Sequence, residues 1–275
     1  MTTETHLNPV VAVTLPETTA SPFEHARSGG IHRNVERILS ARADLRGKAI
    51  IDLACGDGRT THLLRSLGAT VTPYDLFPEH YRLEDGARFI DIQQKTEIPD
   101  ACADLIILQE VIEHLPNQLF ALQEMHRMLK PDGEVLLTTP SRSSLASKLS
   151  YLCFESETMK LPPWGPLESV WLQDPGGNRK CYGHVWLTGI QQLRTQAMLA
   201  GFSAIEIKRS EISRSSLFLM IPLYPLLLLV SLRAWWRSRR KGADGATRHD
   251  LLERFKLNVS PVNLTNKFLI AVLRK

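Results

Sequence analysis

Asp52, Asp75 and Asp91 lie at the ends of three successive strand-like runs, and the first leads into Leu53-Ala54-Cys55-Gly56-Asp57-Gly58-Arg59-Thr60. Glycines at a strand-to-helix turn let the backbone approach a ligand, and the N-terminus of the helix offers free N–H groups. A carboxylate ending the second strand can accept two hydrogen bonds from vicinal ribose hydroxyls. Asp91, one strand over, is placed to take an adenine amino group. Carboxylates around such a turn repel a pyrophosphate but tolerate a cationic sulfonium that carries an ammonium. The register Gly56-Asp57-Gly58-Arg59-Thr60-Thr61 lacks the third small residue of the dinucleotide fingerprint, and no GxxxxGK[ST] loop occurs, so nicotinamide dinucleotides and nucleotide hydrolysis are disfavoured. Each Asp alone could be a strand end or a helix cap; the three in register with the glycine turn argue for a site.

Two histidines titrate in the right range for general-base chemistry. His114 lies in Glu110-Val111-Ile112-Glu113-His114-Leu115 and His184 in Gly183-His184-Val185-Trp186. Either could instead cap a helix or pack, and Glu113 reads as a residue opening a helix. The four cysteines, Cys55, Cys102, Cys153 and Cys181, form no CxxC pair. That disfavours a zinc site or a disulfide framework and suits a reducing compartment; no metal is expected.

These groups need a scaffold, and the apolar periods supply one. Strand-like runs occur at Ala49–Leu53, Thr70–Tyr74, Arg88–Ile90, Leu105–Leu108 and Glu134–Thr138, with helical stripes between most of them (Leu63, Leu64, Leu67; Leu122, Met125, Leu129). A helix over Arg33–Arg42 precedes the first strand. A helix over Thr188–Ala200, closed by Gly201, and strands at Ser203–Lys208 and Lys267–Leu273 complete the pattern. The β-α-β alternation predicts an α/β, Rossmann-like, doubly wound sheet, mostly parallel, with helices on both faces and the ligand crevice at the C-terminal strand ends. The alternation stops between Ser141 and Trp186, a stretch long enough to be functional, in which Trp164 and Trp171 either line a pocket or anchor packing.

The combined motifs resemble the class I S-adenosylmethionine-dependent methyltransferases, of the domain 11/23 kind. The resemblance rests on Ile51-Asp52-Leu53-Ala54-Cys55-Gly56-Asp57-Gly58, Tyr74-Asp75, Phe89-Ile90-Asp91-Ile92, Ala103 to Leu115, Leu129-Lys130-Pro131-Asp132-Gly133-Glu134 and Gly183 to Thr188, and spans about residues 31–208 plus a final strand. It implies seven strands with the last antiparallel, and S-adenosyl-L-methionine as cofactor. Asp52, Ala54, Gly56 and Gly58 would shape the methionine end, Asp75 and Leu76 bind the ribose, and Asp91 and Ile92 flank the adenine. Gln109 and Glu110 would lie against the cofactor. Ala54 stands where many members carry glycine.

One segment is additional to that fold. Leu217–Leu232 carries no charge and is followed by Trp235, Trp236 and the basic cluster Arg233, Arg237, Arg239, Arg240 and Lys241, which more than accounts for the net charge of +4. Sixteen residues of helix reach only about 24 Å, and Pro222 and Pro225 are expected to break it, so shallow association with an anionic membrane surface is favoured over spanning. The resulting organisation is a tail at 1–22, a methyltransferase domain at 23–210 with an acceptor lid at 141–187, a membrane-associating insertion at 211–266 and a final strand at 267–275. The expected protein is a cytoplasmic, membrane-associated methyltransferase of a small-molecule or lipid-linked acceptor, such as a quinone precursor or a lipid-carried saccharide. A soluble metabolite as acceptor, or an inactive membrane-bound relative, are the alternatives. Without a basic cleft or a base-stacking motif, nucleic acid is not expected as a partner.

Overall fold

A computed structural model describes residues 30–159, 165–166, 168–241 and 247–275. The predicted tail at 1–22 and Trp164 lie outside the described residues. Seven strands form one sheet in the order β3-β2-β1-β4-β5-β9-β8: β1 (Ala49–Leu53), β2 (Thr70–Asp75), β3 (Arg88–Phe89), β4 (Ala103–Gln109), β5 (Leu129–Pro140), β8 (Ala204–Lys208) and β9 (Phe268–Arg274). All neighbours pair in parallel except β9, which runs antiparallel to both β5 and β8.

Alternation along the strands explains why both faces are covered. Leu105 and Ile107 of β4 and Ile270 and Val272 of β9 meet Ile31, Val35 and Leu39 of α1 (Gly30–Ser40) and Leu64 of α2 (Arg59–Ser66). Ile106 and Leu108, with Leu269, Ala271 and Leu273, meet Leu122, Met125 and Met128 of α3 (Gln118–Met128) and Leu193 and Ala197 of α5 (Ile190–Leu199). Gly201, in the left-handed region at φ 106°, ends α5 as expected. The first helix stops at Ser40, two residues short of its sequence-predicted end, and β5 extends beyond Glu134–Thr138 at both ends.

The stretch from Ser141 to Trp186 is not structureless. It contains α4 (Leu145–Phe154), N-capped by Ser144, and a hairpin of β6 (Val170–Gln173) and β7 (Lys180–Tyr182).

The apolar segment departs most from expectation. Pro222 and Pro225 do not break it: Arg214–Lys241 is one 28-residue helix, α6, about 42 Å long at 1.5 Å per residue. The length argument against spanning therefore falls. The proline rings remove the donors for the carbonyls of Phe218 and Ile221, four residues back. Those two residues are 74% and 77% exposed, so the freed carbonyls are not sealed in the core. α6 is apolar on both sides, with Leu219, Met220, Leu223, Leu227 and Leu228 half-buried. Its inward face holds Ser216, whose Oγ accepts from the Ala146 N–H of α4, and Ser231, whose Oγ accepts from Asn258 of α7 (Arg248–Val259). Its outward face shows Phe218, Ile221, Leu226, Leu229 and Trp236, and 11% of its most apolar stretch is buried. The short α8 (Pro261–Thr265) leads from α7 into β9.

Candidate functional site

The turn after β1 is built on left-handed backbone. Ala54, Gly56 and Gly58 have φ of 58°, 53° and 89°, a conformation that costs a side chain but is open to glycine. Gly58 caps α2; a β-carbon there would sit 2.7 Å from Tyr81 Cε2, whereas one at Gly56 would enter open space. Asp75, at the end of β2, organises the turn: its Oδ2 accepts from the Gly56 N–H and its Oδ1 from the Phe77 N–H, each at 2.8 Å.

Beside this turn lies a cavity of about 290 Å3, walled by Ala54, Asp75, Leu76, Asp91, Ile92 and Glu110 of the predicted set, by His114, and by Trp171, Lys180 and Cys181 of the hairpin. It shares Leu76, Ile90, Asp91 and Lys180 with a wider cleft of about 1030 Å3. The hairpin is pinned over the β2–β3 connection by Arg179, which donates to the Leu76 carbonyl, pairs with Glu79 at 3.0 Å and lies over the Phe77 ring.

Asp52 and Gln109, also of the predicted set, stand behind this wall. Asp52 lies inside β1 with its carboxylate buried; Thr61 donates to it at 2.6 Å, and burial pushes it up to about 7. Gln109 bridges helices, accepting from Thr60 and donating to His32 Nδ1 at 2.7 Å. Glu110, also left-handed at φ 54°, takes a hydrogen bond from Thr138 Oγ1, and burial raises it to about 7.

The two predicted histidines meet at a residue whose burial sequence reading did not foresee. Glu113 stands in the first turn of a short 3-10 helix (Ile112–His114), wholly buried, and neither carboxyl oxygen has a hydrogen-bond partner among the described residues. His114 Nε2 stands 3.8 Å and His184 Nε2 4.0 Å from Glu113 Oε1. The Tyr182 carbonyl, 2.5 Å from His114 Nδ1, can only accept, so Nδ1 carries the proton and Nε2 a lone pair. His184 Nδ1 likewise faces Glu157 at 2.6 Å. Burial, then the Glu110 charge, raises Glu113 well above the carboxylate range, while burial, then His184, lowers His114. Trp171 packs on both imidazoles, with centroids at 5.4 and 4.8 Å. The three side chains offer ligand atoms within 4.8 Å of one another, so they could hold either a shared proton or a cation. The sequence signal was the carboxylate immediately preceding His114; its partner, His184, comes from seventy residues away.

Comparison with known proteins identifies the family and the fold. A family model described as a methyltransferase domain matches residues 23–207. Ubiquinone biosynthesis O-methyltransferases are similar over 134 residues: that of Pseudomonas aeruginosa (strain LESB58) at 29% identity, covering 45% of this chain and 58% of the relative, and that of Xanthomonas oryzae pv. oryzae (strain PXO99A) at 31%, covering 45% and 56%. The match thus spans a little over half the length of these curated relatives. The fold is shared with a SAM-dependent methyltransferase from Archaeoglobus fulgidus (TM-score 0.50, 12% identity, 88% of this chain and 92% of the other) and one from Mesorhizobium loti (TM-score 0.50, 16%, 90% and 99%).

Proposed function

The chain belongs to the class I S-adenosylmethionine-dependent methyltransferases, and from that premise we propose that it methylates a hydroxyl of an amphipathic or lipid-linked acceptor at a membrane surface. The residues present fit the cofactor. The space open above Gly56 and the Asp75 carboxylate at the cavity wall suit a ribose and its amino-acid arm. Asp91, where the cavity joins the wider cleft, and Ile92 beside it in the cavity wall suit a purine. In this reading Asp52 and Gln109 support the turn and helix that contact the cofactor, and Ala54, Gly56, Gly58, Leu76 and Glu110 contact it.

Bound S-adenosylmethionine supplies an activated methyl on a sulfonium. The chain's part is alignment, exclusion of water and disposal of the acceptor's proton. His114 Nε2, neutral and at the cavity wall, is placed to take that proton. Glu113, held neutral by burial, leaves the lone pair uncommitted to a permanent ion pair, and His184 is a second acceptor for the same proton. The β6–β7 hairpin serves as the lid of the predicted 141–187 region.

The single observation that carries hydroxyl rather than amine chemistry is the convergence of the two Nε2 atoms on the buried Glu113, since an already nucleophilic amine has less need of a base. The names of the ubiquinone biosynthesis O-methyltransferase relatives point the same way. The membrane part rests on α6, the core of the 211–266 insertion: apolar outward, flanked by Trp236 and Trp235, and ended by Arg233, Arg237, Arg239 and Arg240, with Arg240 stacked on Trp236 at 3.6 Å. A helix with two freed carbonyls is better satisfied among headgroups and water than in hydrocarbon, which favours lying on a cytoplasmic bilayer face. Transfer of labelled methyl to a long-chain phenol, against its amine counterpart, tests the reading. Labelling of the phenol that is lost in His114→Gln supports it; equal labelling of the amine, unaffected by that variant, overturns it.

A further inference from the structure

A second cavity, of about 400 Å3, lies between α4, α5, α7 and α8, away from the glycine turn. Its two charged lining residues, Arg142 and Lys148, are both cations. Arg142 is held in place by the Leu187 carbonyl (3.1 Å) and by the Tyr151 ring, 4.3 Å from its guanidinium carbon. Lys148, one turn before Tyr151 on α4, is largely buried, which lowers the pKa of its ammonium. Neither cation has a carboxylate partner among the described residues; Glu157, which acts on Tyr151, is engaged with His184.

The N-terminus of α5 faces the same space. Ser143 Oγ accepts the Ile190 N–H, which leaves the first-turn N–H groups of Gln191 and Gln192 without an intrahelical acceptor. Asn263, 2% exposed, lines the cavity and has an unpartnered Oδ1, an acceptor that fits a hydroxyl carried beside an anionic group rather than the anionic oxygens themselves. Two cations that share one cavity without a counter-ion repel each other. A guanidinium, an ammonium, a phenol and two oriented N–H groups form the donor set of an oxyanion with several oxygens and one or two charges.

We propose that this cavity binds a phosphate group, and that at the membrane the phosphate is that of an anionic phospholipid headgroup. The lipid assignment rests on the membrane reading of α6; the phosphate site does not. The two are physically joined, because Asn258 lines the cavity and donates to Ser231 on the inward face of α6 at 2.6 Å. A headgroup seated here would fix the height and rotation of α6 at the surface, and with them the direction in which the methyl-transfer cavity opens.

The test uses the full chain in detergent and on vesicles. Inorganic phosphate, against chloride at equal ionic strength, is expected to raise the Tm of wild type. The rise is lost in Lys148→Gln and Arg142→Gln and restored by Lys148→Arg. Vesicles of phosphatidylcholine with a minor fraction of phosphatidylglycerol are expected to bind Lys148→Gln roughly tenfold more weakly than wild type. Ile221→Asp, on the outward face of α6, should lose vesicle binding but keep the phosphate response. If Lys148→Gln and Arg142→Gln respond to phosphate as wild type does, the proposal is overturned, whatever the vesicles show. If the phosphate response is lost in them but vesicle affinity is unchanged, the site stands and its ligand is a soluble phosphate ester. If wild type ignores vesicles while the phosphate arm holds, the membrane reading fails and the site survives.

Discussion

His114 Nε2 lies 3.8 Å from a carboxyl oxygen of its own sequence neighbour, Glu113, and His184 Nε2 lies 4.0 Å from the same oxygen. Replacing His114 by Gln should lower kcat by roughly 10²–10⁴ while leaving S-adenosylhomocysteine affinity intact. Glu113→Gln should retain most turnover, since burial already keeps the carboxyl neutral. His114 must be unprotonated to act, and burial lowers its pKa, so the acid limb of the kcat profile should fall below the ordinary histidine range. His184 is the second cause of that lowering; in His184→Gln the limb should move upward. A limb that stays fixed in His184→Gln, or full turnover in His114→Gln, would remove the base assignment.

Asp75 gives a prediction about ligand binding. Both of its oxygens hold backbone N–H groups, those of Gly56 and Phe77, so Asp75→Ala loses a ligand for the ribose and also strands two donors. A stranded donor costs about 1–3 kcal/mol, so affinity for S-adenosylhomocysteine should drop by roughly ten- to a hundredfold on calorimetric titration. Unchanged affinity would place the ribose elsewhere.

Much of this was legible because it is local. The period-two runs gave the strands, and Asp75 was read as an acid ending β2, where it stands. What was hidden depends on distant chain. The burial of Glu113 was not foreseen because it is created by the segment carrying Tyr182 and His184, which folds back over it. Continuity of α6 through Pro222 and Pro225 was missed because the proline penalty was applied as though the freed carbonyls were buried, whereas Phe218 and Ile221 are exposed. No sequence feature announces that Tyr81 closes against Gly58.

Asp52 should make stability fall with pH. The folded protein keeps its proton up to about pH 7, while the unfolded chain releases it in the ordinary carboxylate range. Between those values the folded state binds more protons, so stability declines as pH rises through about 4 to 7 and stays reduced above. Asp52→Asn keeps an acceptor for Thr61 and removes the charge. It should flatten the decline and raise stability at pH 8 by an amount on the order of 1–4 kcal/mol, read by denaturant titration; a decline of equal slope in the variant would refute the burial argument.

Gly56 and Gly58 should separate binding from folding. Gly58→Ala meets Tyr81 at 2.7 Å with φ at 89°, and is expected to lose about 1–3 kcal/mol of stability. Gly56→Ala meets nothing and should cost about 1 kcal/mol in left-handed strain, but its methyl enters the proposed cofactor space. Thermal melts with and without S-adenosylhomocysteine distinguish them: Gly58→Ala lowers both transitions, whereas Gly56→Ala lowers chiefly the ligand-induced rise.

The outward face of α6 predicts where the protein is found. Apolar side chains on the solvent side as well as on the inner one are not what a helix covering a soluble core carries. Phe218→Asp combined with Leu229→Asp should release the chain from vesicles containing anionic lipid without changing its S-adenosylhomocysteine affinity, because neither residue touches the cofactor cavity. Neutralising Arg237 and Arg240 should weaken binding by about 1 kcal/mol per charge, in proportion to the anionic lipid present, and salt should weaken wild type in the same sense. Co-sedimentation reads both effects. Binding that survives the aspartates would show that α6 faces something other than lipid, and binding indifferent to salt and to the arginines would confine its attachment to the apolar stripe.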